Sequence, residues 1–363
     1  MTKERITIGL DLGYSYTKIV GDNNKKTIFP SFAVESSTSV FQSTGVMVEK
    51  KPFNSKQALR NLQVTYNGVD YYVGRSALNQ SRNADSLLTS GRVGTEQELI
   101  LGLTAIALIS SSDDISVDGL MLGLPISEMN MLGNKLKTMY SGIHSVKLTN
   151  IQNGQSVEKK IYIDDVRVIQ QSVAALYSEV FDLKGKPKTD KRRPELREEV
   201  GIIDIGYRTT DFVVAEQLSL KNHLSDTLEI GISNVHEEVR RVLKQKYNFE
   251  RNLSQIEKYV QKKKIVLDGR NIDLTRNIND AKKAVASQIA TEIKNSWRDD
   301  VREFSTILLV GGGSVALGAS LIQEFTAQAE VIDDAQMANA KGYLAFYKAQ
   351  KNLEEKRQTQ QTS

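Results

Sequence analysis

The chain has 363 residues, enough for about two domains. Its 48 Lys plus Arg against 44 Asp plus Glu leave a formal charge of only +4, which argues against a protein coated in basic charge for direct, sequence-independent DNA binding. It contains no cysteine, so disulfide frameworks, Cys-ligated zinc, iron–sulfur clusters and Cys nucleophiles are excluded, and its three histidines (His144, His223, His236) show no metal-ligand spacing.

No run of 18 apolar residues occurs, and the opening MTKERITIGLDLG turns acidic and glycine-rich before any long apolar stretch. The expectation is a cytoplasmic protein without a membrane span or signal peptide. Short β-branched runs predict strands at 6–10, 16–21, 119–124, 166–169, 200–205, 211–215 and 306–310. Longer amphipathic stretches predict helices near 95–111, 127–141, 171–182, 233–247, 253–264, 277–302, 315–328 and 335–355. This alternation indicates an α/β architecture. The polar stretch from Pro30 to about Gln80 reads as a strand-rich insertion, 184–198 as an exposed charged loop, and the tail from Asn352 as frayed.

One internal repetition stands out. ITIGLDLGYSYTKIVG (6–21) and VGIIDIGYRTTDFVVA (200–215) are each an apolar strand, an Asp-x-Gly-Tyr turn with hydroxyls, and a second strand. An Asp at a strand end followed by Gly places a carboxylate at the mouth of a sheet, where the backbone can approach a ligand closely. Ser15, Thr17, Thr209 and Thr210 add hydroxyls beside turn amides that can form an anion-binding concavity. Two such turns could grip a polyphosphate from both sides, with Asp11 and Asp204 holding Mg²⁺ through waters and Lys18 adding charge. A single copy reads as an ordinary hairpin; two copies favour phosphate binding.

A third glycine cluster, ILLVGGGSVALG (307–318), has strand, glycines and helix in nucleotide-loop order. Gly311, Gly313 and Ala316 also satisfy the dinucleotide pattern G-x-G-x-x-A, but that fingerprint opens its sheet, and here only about 45 residues follow. No G-x-x-x-x-G-K-[ST] loop occurs.

Two phosphate-type hairpins and a late glycine loop, in that order, resemble the actin, sugar kinase and chaperone ATPase superfamily. The segments IQQSVAALY (169–177) and ANAKGYL (338–344) resemble its two interdomain helices. GLPIS (123–127), DIGYRTTDFVV (204–214) and GISNVHEEV (231–239) are similar to the actin-like plasmid-segregation ATPases of the ParM (StbA) type. The resemblance implies an actin-like fold of two ribonuclease-H-like domains around a nucleotide cleft. The first domain would be 1–165 plus 335–355 with an insertion at about 30–90. The second would be 166–334 with an insertion at about 216–300, followed by a flexible tail, 356–363.

It further implies ATP (or GTP) with Mg²⁺. Gly13, Tyr14, Ser15, Lys18, Gly206, Tyr207, Arg208, Thr209 and Thr210 would line the phosphates. Gly311, Gly312, Gly313 and Ser314 would back the nucleoside and α-phosphate, and the base would lie against the helix after Gly231, near Glu237, Arg240 or Arg241. Gln171 would orient the attacking water, where ParM proteins commonly carry Glu; Gln cannot be a strong base, so positioning is its role. Asp211 would be a second water contact.

The implied function is a filament-forming ATPase that segregates or positions DNA through an adaptor protein, assembling with ATP and disassembling after hydrolysis, with no membrane contact. Other superfamily readings are a small-molecule kinase, which needs an Asp base and a sugar pocket without signature here, and a chaperone-like ATPase with an appended peptide-binding domain. The tail NLEEKRQTQQTS has no apolar stripe, which sets aside a membrane-tethered relative. The Lys/Arg of 184–198 (Lys184, Lys186, Lys188, Lys191, Arg192, Arg193, Arg197) and Lys262–Lys264 read either as solvated surface or as contacts to a next subunit or acidic partner. Neither carries the interleaved aromatics of a single-strand binder.

Overall fold

The computed structural model describes residues 3–36, 53–80, 93–188, 196, 198–325 and 328–361. Four cations of the basic loop, Lys191, Arg192, Arg193 and Arg197, lie outside the described residues, as do parts of the insertion expected at 30–90. The chain divides into two compact units, Met1–Lys186 with Asn339–Ser363, and Pro187–Ala338.

In the first unit, strands β1 (Glu4–Leu12), β2 (Tyr16–Gly21), β3 (Lys26–Pro30), β4 (Asp114–Leu124) and β5 (Val166–Gln170) lie in the order β3-β2-β1-β4-β5. β1, β2 and β3 are antiparallel neighbours; β1–β4 and β4–β5 are parallel. β1 is buried on both faces because it is central: Ile6, Ile8 and Leu10 on one, Thr7 and Asp11 on the other. The helix Glu96–Ile109 is buried from Glu98 to its last residue, as expected of a helix that is hydrophobic all round. The amino-terminal half of β4 pairs instead with Ser156–Ile163 and opens an extension that continues through Gly142–Asn150, Leu62–Tyr66, Val69–Val73 and Ala33–Glu35.

β5 belongs to this sheet. The first unit therefore takes in 166–186, which the sequence reading placed in the second domain: the fifth strand must lie beside β4 to complete the parallel edge. The helix Ala338–Gln361 packs against β1 and the helix Ala174–Val180. At Gly342 a Cβ would stand 1.7 Å from the Ala174 carbonyl oxygen, so only glycine permits the approach. This helix continues to Gln361, through residues expected to form a flexible tail; its last turns are exposed.

In the second unit, β6 (Glu199–Ile205), β7 (Thr210–Glu216), β8 (Asp226–Leu228), β9 (Thr306–Val310) and β10 (Ala329–Val331) lie in the order β8-β7-β6-β9-β10. The first three are antiparallel and the rest parallel, so order and sense repeat those of the first unit. Trp297 anchors its core, edge-on to Phe212 (5.7 Å between centroids) and Phe304 (5.0 Å), with its indole N–H donated to the Leu224 carbonyl at 2.9 Å. Both units are thus α/β sheets in which a central strand ends in Asp-x-Gly.

Candidate functional site

Each acidic turn sits at the carboxyl end of a central strand that has a parallel neighbour, the end at which ligands gather in α/β sheets. Asp11 is the penultimate residue of β1 and Asp204 the penultimate residue of β6. Both are buried, at 3% and 6% exposure.

The first hairpin is electrically balanced. Asp11 stands directly opposite Lys18 in the β1–β2 register, and Lys18 Nζ donates to Asp11 Oδ2 at 2.8 Å. Lys18 is therefore a partner of Asp11. Its ammonium offsets the burial of the carboxylate. Thr17 is fully buried and its hydroxyl shares a 2.9 Å hydrogen bond with Ser31, so it holds β2 to the segment after β3. Gly13, Tyr14 and Ser15 remain half-buried at the turn.

The second hairpin differs at the position opposite its aspartate. The position that carries Lys18 in the first is Asp211 here, and it stands directly opposite Asp204. Thr227, on β8, is opposite Asp211 in turn, and its hydroxyl donates to Asp211 Oδ1 at 2.6 Å. Burial pushes Asp211 up to about 6; the Thr227 hydrogen bond works against this, and the charges of Asp204 and Glu229 add to it. The Gly206 N–H closes the turn on the Thr209 carbonyl at 2.8 Å, with Tyr207 and Arg208 at its tip. Thr210 is buried and donates its hydroxyl to the Ile230 carbonyl at 2.7 Å, so of this turn's two threonines Thr209 is the one that stays half-buried at the turn.

The glycine loop is packed onto this hairpin. Gly311 has φ +82°, and a Cβ there would stand 2.2 Å from Asp204 Oδ1. Gly313 N–H donates to the Ile205 carbonyl at 2.8 Å, and a Cβ on Gly313 would meet Ile205 as well. Gly312 has only Gln336 near it, 3.7 Å away. Ser314 is buried, its hydroxyl donated to the Gly311 carbonyl at 2.8 Å, so it shapes the loop from beneath. The sequence-predicted residues Asp204, Gly206, Gly311 and Gly313 thus converge.

Gly231 caps the helix Ile232–Tyr247, whose first amides are already engaged. Ile232 N–H donates to the Gly206 carbonyl (3.2 Å) and Ser233 N–H to the Tyr207 carbonyl (2.7 Å). One turn on, the Tyr207 hydroxyl lies 3.3 Å from His236 Nδ1. Burial lowers His236 to about 4, which keeps it neutral at physiological pH. His236 and Thr227 were not singled out by the sequence. Glu237 and Arg241, expected near a base, form ion pairs along the helix with Arg240 (2.6 Å) and Glu238 (2.5 Å) at its exposed face. In the first unit Gln171 opens a 3₁₀ turn at the end of β5, half-buried, and among the described residues its side chain has no hydrogen-bond partner, whereas the neighbouring Gln170 bonds to Ser172.

Among the described residues no group of three or more His, Asp or Glu forms a metal cage. What is present is a pair of facing carboxylates, Asp204 and Asp211, with no cation between them in the strand row. This hard-oxygen, low-ligand set suits Mg²⁺, which keeps several waters and takes one or two carboxylates plus substrate phosphates.

Two families match the chain: "Actin like proteins N terminal domain" over residues 9–173 and "Archaeal actin homologue MreB-like, C-terminal" over 202–323. An archaeal actin homolog from Thermoplasma volcanium is 22% identical, covering 93% of this chain and 97% of its own length. Among solved structures, the ParM of a 15-stranded filament from Clostridium botulinum superposes with a TM-score of 0.75 at 23% identity, covering 94% of this chain and 99% of its own. An archaeal actin homolog solved in complex with ADP superposes with a TM-score of 0.71 at 17% identity, covering 94% and 99%. At these identities the structural likeness establishes the fold.

Proposed function

We propose that this chain, which has the actin fold and matches two actin-like families over residues 9–173 and 202–323, is a nucleotide-dependent, filament-forming ATPase of the ParM kind that segregates or positions DNA through an adaptor. The single observation that carries the reading is the duplicated hairpin: two sheets of identical strand order each present a buried aspartate at the end of the central strand, two residues before the turn glycine. A relative solved with ADP supports the nucleotide, and a relative solved as a filament supports self-association. The formal charge of +4 suits contact with DNA through a second protein.

Phosphoryl transfer to water needs positioning and charge neutralisation more than covalent chemistry. The turn amides at 13–15 and 207–209 donate to phosphate oxygens. Asp204 and Asp11, the latter beside Lys18, would hold Mg²⁺ through water, and the ion would supply charge neutralisation at the phosphates. Gly311–Gly313 let the backbone approach the nucleoside. Gln171 and Asp211 accept and direct the attacking water. Loss of the γ-phosphate removes contacts made only by the triphosphate, which biases assembly toward disassembly.

The test is light scattering with negative-stain microscopy, with ATP or GTP and Mg²⁺. Polymers above a critical concentration are expected with one of the two. A chain that stays monomeric with a non-hydrolysable analogue overturns the filament reading, and turnover that appears only with an added sugar assigns it to the small-molecule kinases.

A further inference from the structure

A row of three side chains crosses three strands at the second acidic turn: Asp204 on β6, Asp211 on β7 and Thr227 on β8, each directly opposite the next. Directly opposed residues in antiparallel strands lie on the same face and interact. The corresponding row in the first unit is Asp11, Lys18 and Ile28, in which the cation orients the carboxylate and the third member is apolar. The second row has no cation. A carboxylate facing another is pushed to rotate away from it, unless something on its far side holds it. Thr227 is that group: its hydroxyl donates to Asp211 Oδ1 at 2.6 Å. Thr227 is in turn fixed by its place in the strand and by its own N–H, which donates to the Asp226 carboxylate at 2.8 Å. Among the described residues Asp211 Oδ2 accepts from no protein side chain.

We propose that Thr227 is a positioning residue for hydrolysis. It binds one carboxylate oxygen of Asp211, so that the other oxygen is directed to accept a hydrogen bond from the attacking water. The inference rests on the phosphoryl-transfer reading above. In that reaction the water oxygen bonds to the γ-phosphorus, the bond from the γ-phosphorus to the β,γ-bridging oxygen breaks, and the water proton leaves on the inorganic phosphate. Asp211 orients the water and takes no net proton. Thr227 contributes through the orientation of Asp211 and touches neither nucleotide nor water; orientation of this kind governs the rate of the step rather than the binding of the substrate.

The experiment compares wild type, Thr227→Val, Thr227→Ser, Asp211→Ala and the Thr227→Val/Asp211→Ala pair. Calorimetry measures ATP affinity with Mg²⁺, and phosphate release at saturating ATP measures turnover. Thr227→Val keeps the branched shape favoured in a strand and removes only the hydroxyl. The expected result is about a tenfold fall in turnover with affinity within about twofold, recovery by Thr227→Ser, and no further loss when Thr227→Val is added to Asp211→Ala. Wild-type turnover in Thr227→Val overturns the proposal, and so does a full additional loss in the double variant. If Thr227→Val does not fold, Thr227→Ala is read by the same criteria. A wild-type chain that binds no nucleotide overturns the phosphoryl-transfer reading itself, a result distinct from a failure confined to the variants.

Discussion

The two acidic hairpins share strand order, the Asp-x-Gly-Tyr turn and a buried aspartate. They differ in the side chain opposite that aspartate and at the turn tip, where Ser15 stands in the first and Arg208 in the second. Lys18 pairs with Asp11 in the first. Asp211 faces Asp204 in the second, and the charge of Asp204 adds to the burial that raises the Asp211 carboxyl. Duplication of a scaffold need not duplicate its electrostatics. The first hairpin carries a cation opposite its aspartate; the second carries a carboxylate there, which favours a bound cation. The packing differs in the same direction: the glycine loop is pressed against Asp204.

The largest effect that can break this comparison comes from that contact. Gly311→Val puts a Cβ 2.2 Å from Asp204 Oδ1 at a φ of +82°, where a β-branched residue is strained. We expect a destabilisation of about 3–5 kcal/mol and loss of nucleotide binding, read by urea denaturation and calorimetry. Gly312→Ala is the control, because its nearest neighbour is 3.7 Å away; it should be close to neutral. Equal effects at the two positions would show that the loop does not depend on its contact with Asp204.

Next comes the ion pair. Lys18→Met leaves Asp11 buried with no cation opposite it, and breaking a buried pair by removing one partner costs about 3–5 kcal/mol. The converse substitution, Asp211→Lys, copies the first hairpin onto the second. It should fold, because it installs the Asp–Lys row already present at Asp11, and it should lose Mg²⁺-dependent hydrolysis. Retained hydrolysis in Asp211→Lys would mean that the difference between the hairpins is incidental.

The third effect is on pH dependence. The Asp211 carboxyl is raised in the folded chain to about 6 from an ordinary 3.8. Its unfavourable contribution is therefore absent below about pH 3.8, grows as pH rises, and is complete above about 6. His236 is lowered to about 4 from 6.5, so the folded chain resists its protonation; stability from this group is full above about pH 6.5 and is lost as pH falls toward 4. The two groups oppose each other across the same window in the same unit. Asp211→Asn should stabilise the nucleotide-free chain by about 1–3 kcal/mol at pH 7 and leave it unchanged at pH 3.5 relative to wild type. His236→Gln should instead flatten the acid-side loss. Thermal unfolding of each variant against wild type from pH 3.5 to 7.5 checks both signs.

Much of this was legible in the sequence where a residue's chemistry and its spacing coincide. The Asp-x-Gly-Tyr duplication marked both turns, and the strands at 16–21 and 306–310 appear with the predicted bounds. The glycine loop was found because no other residue tolerates those contacts. What the sequence hid depends on register. Lys18 read as a charge for phosphate, and its pairing with Asp11 shows only in the β1–β2 register. Thr227 lies on a three-residue strand, too short for a periodicity, and only its place opposite Asp211 gives it meaning. Thr210 and Ser314 read as ligand hydroxyls from their neighbours in the chain, and burial turned both inward. The hairpin of Gly142–Asn150 and Ser156–Ile163 alternates buried and exposed residues plainly enough, yet lay between stronger signals.

The smallest expected effect sharpens the comparison by locating where the nucleotide base does not reach. Glu237 and Arg241 lie on the exposed face of the helix that follows the second hairpin, each engaged by a neighbour three residues along the helix. Exposed pairs of this type contribute about 0.2–0.5 kcal/mol. Glu237→Ala and Arg241→Ala should each change stability by less than about 0.5 kcal/mol and leave nucleotide affinity within about twofold. If either variant loses tenfold in affinity for ATP while holding its affinity for inorganic triphosphate, the base does rest on this helix. The ion pair then has to open to admit it, and the second hairpin would hold the nucleotide at both ends rather than at its phosphates alone.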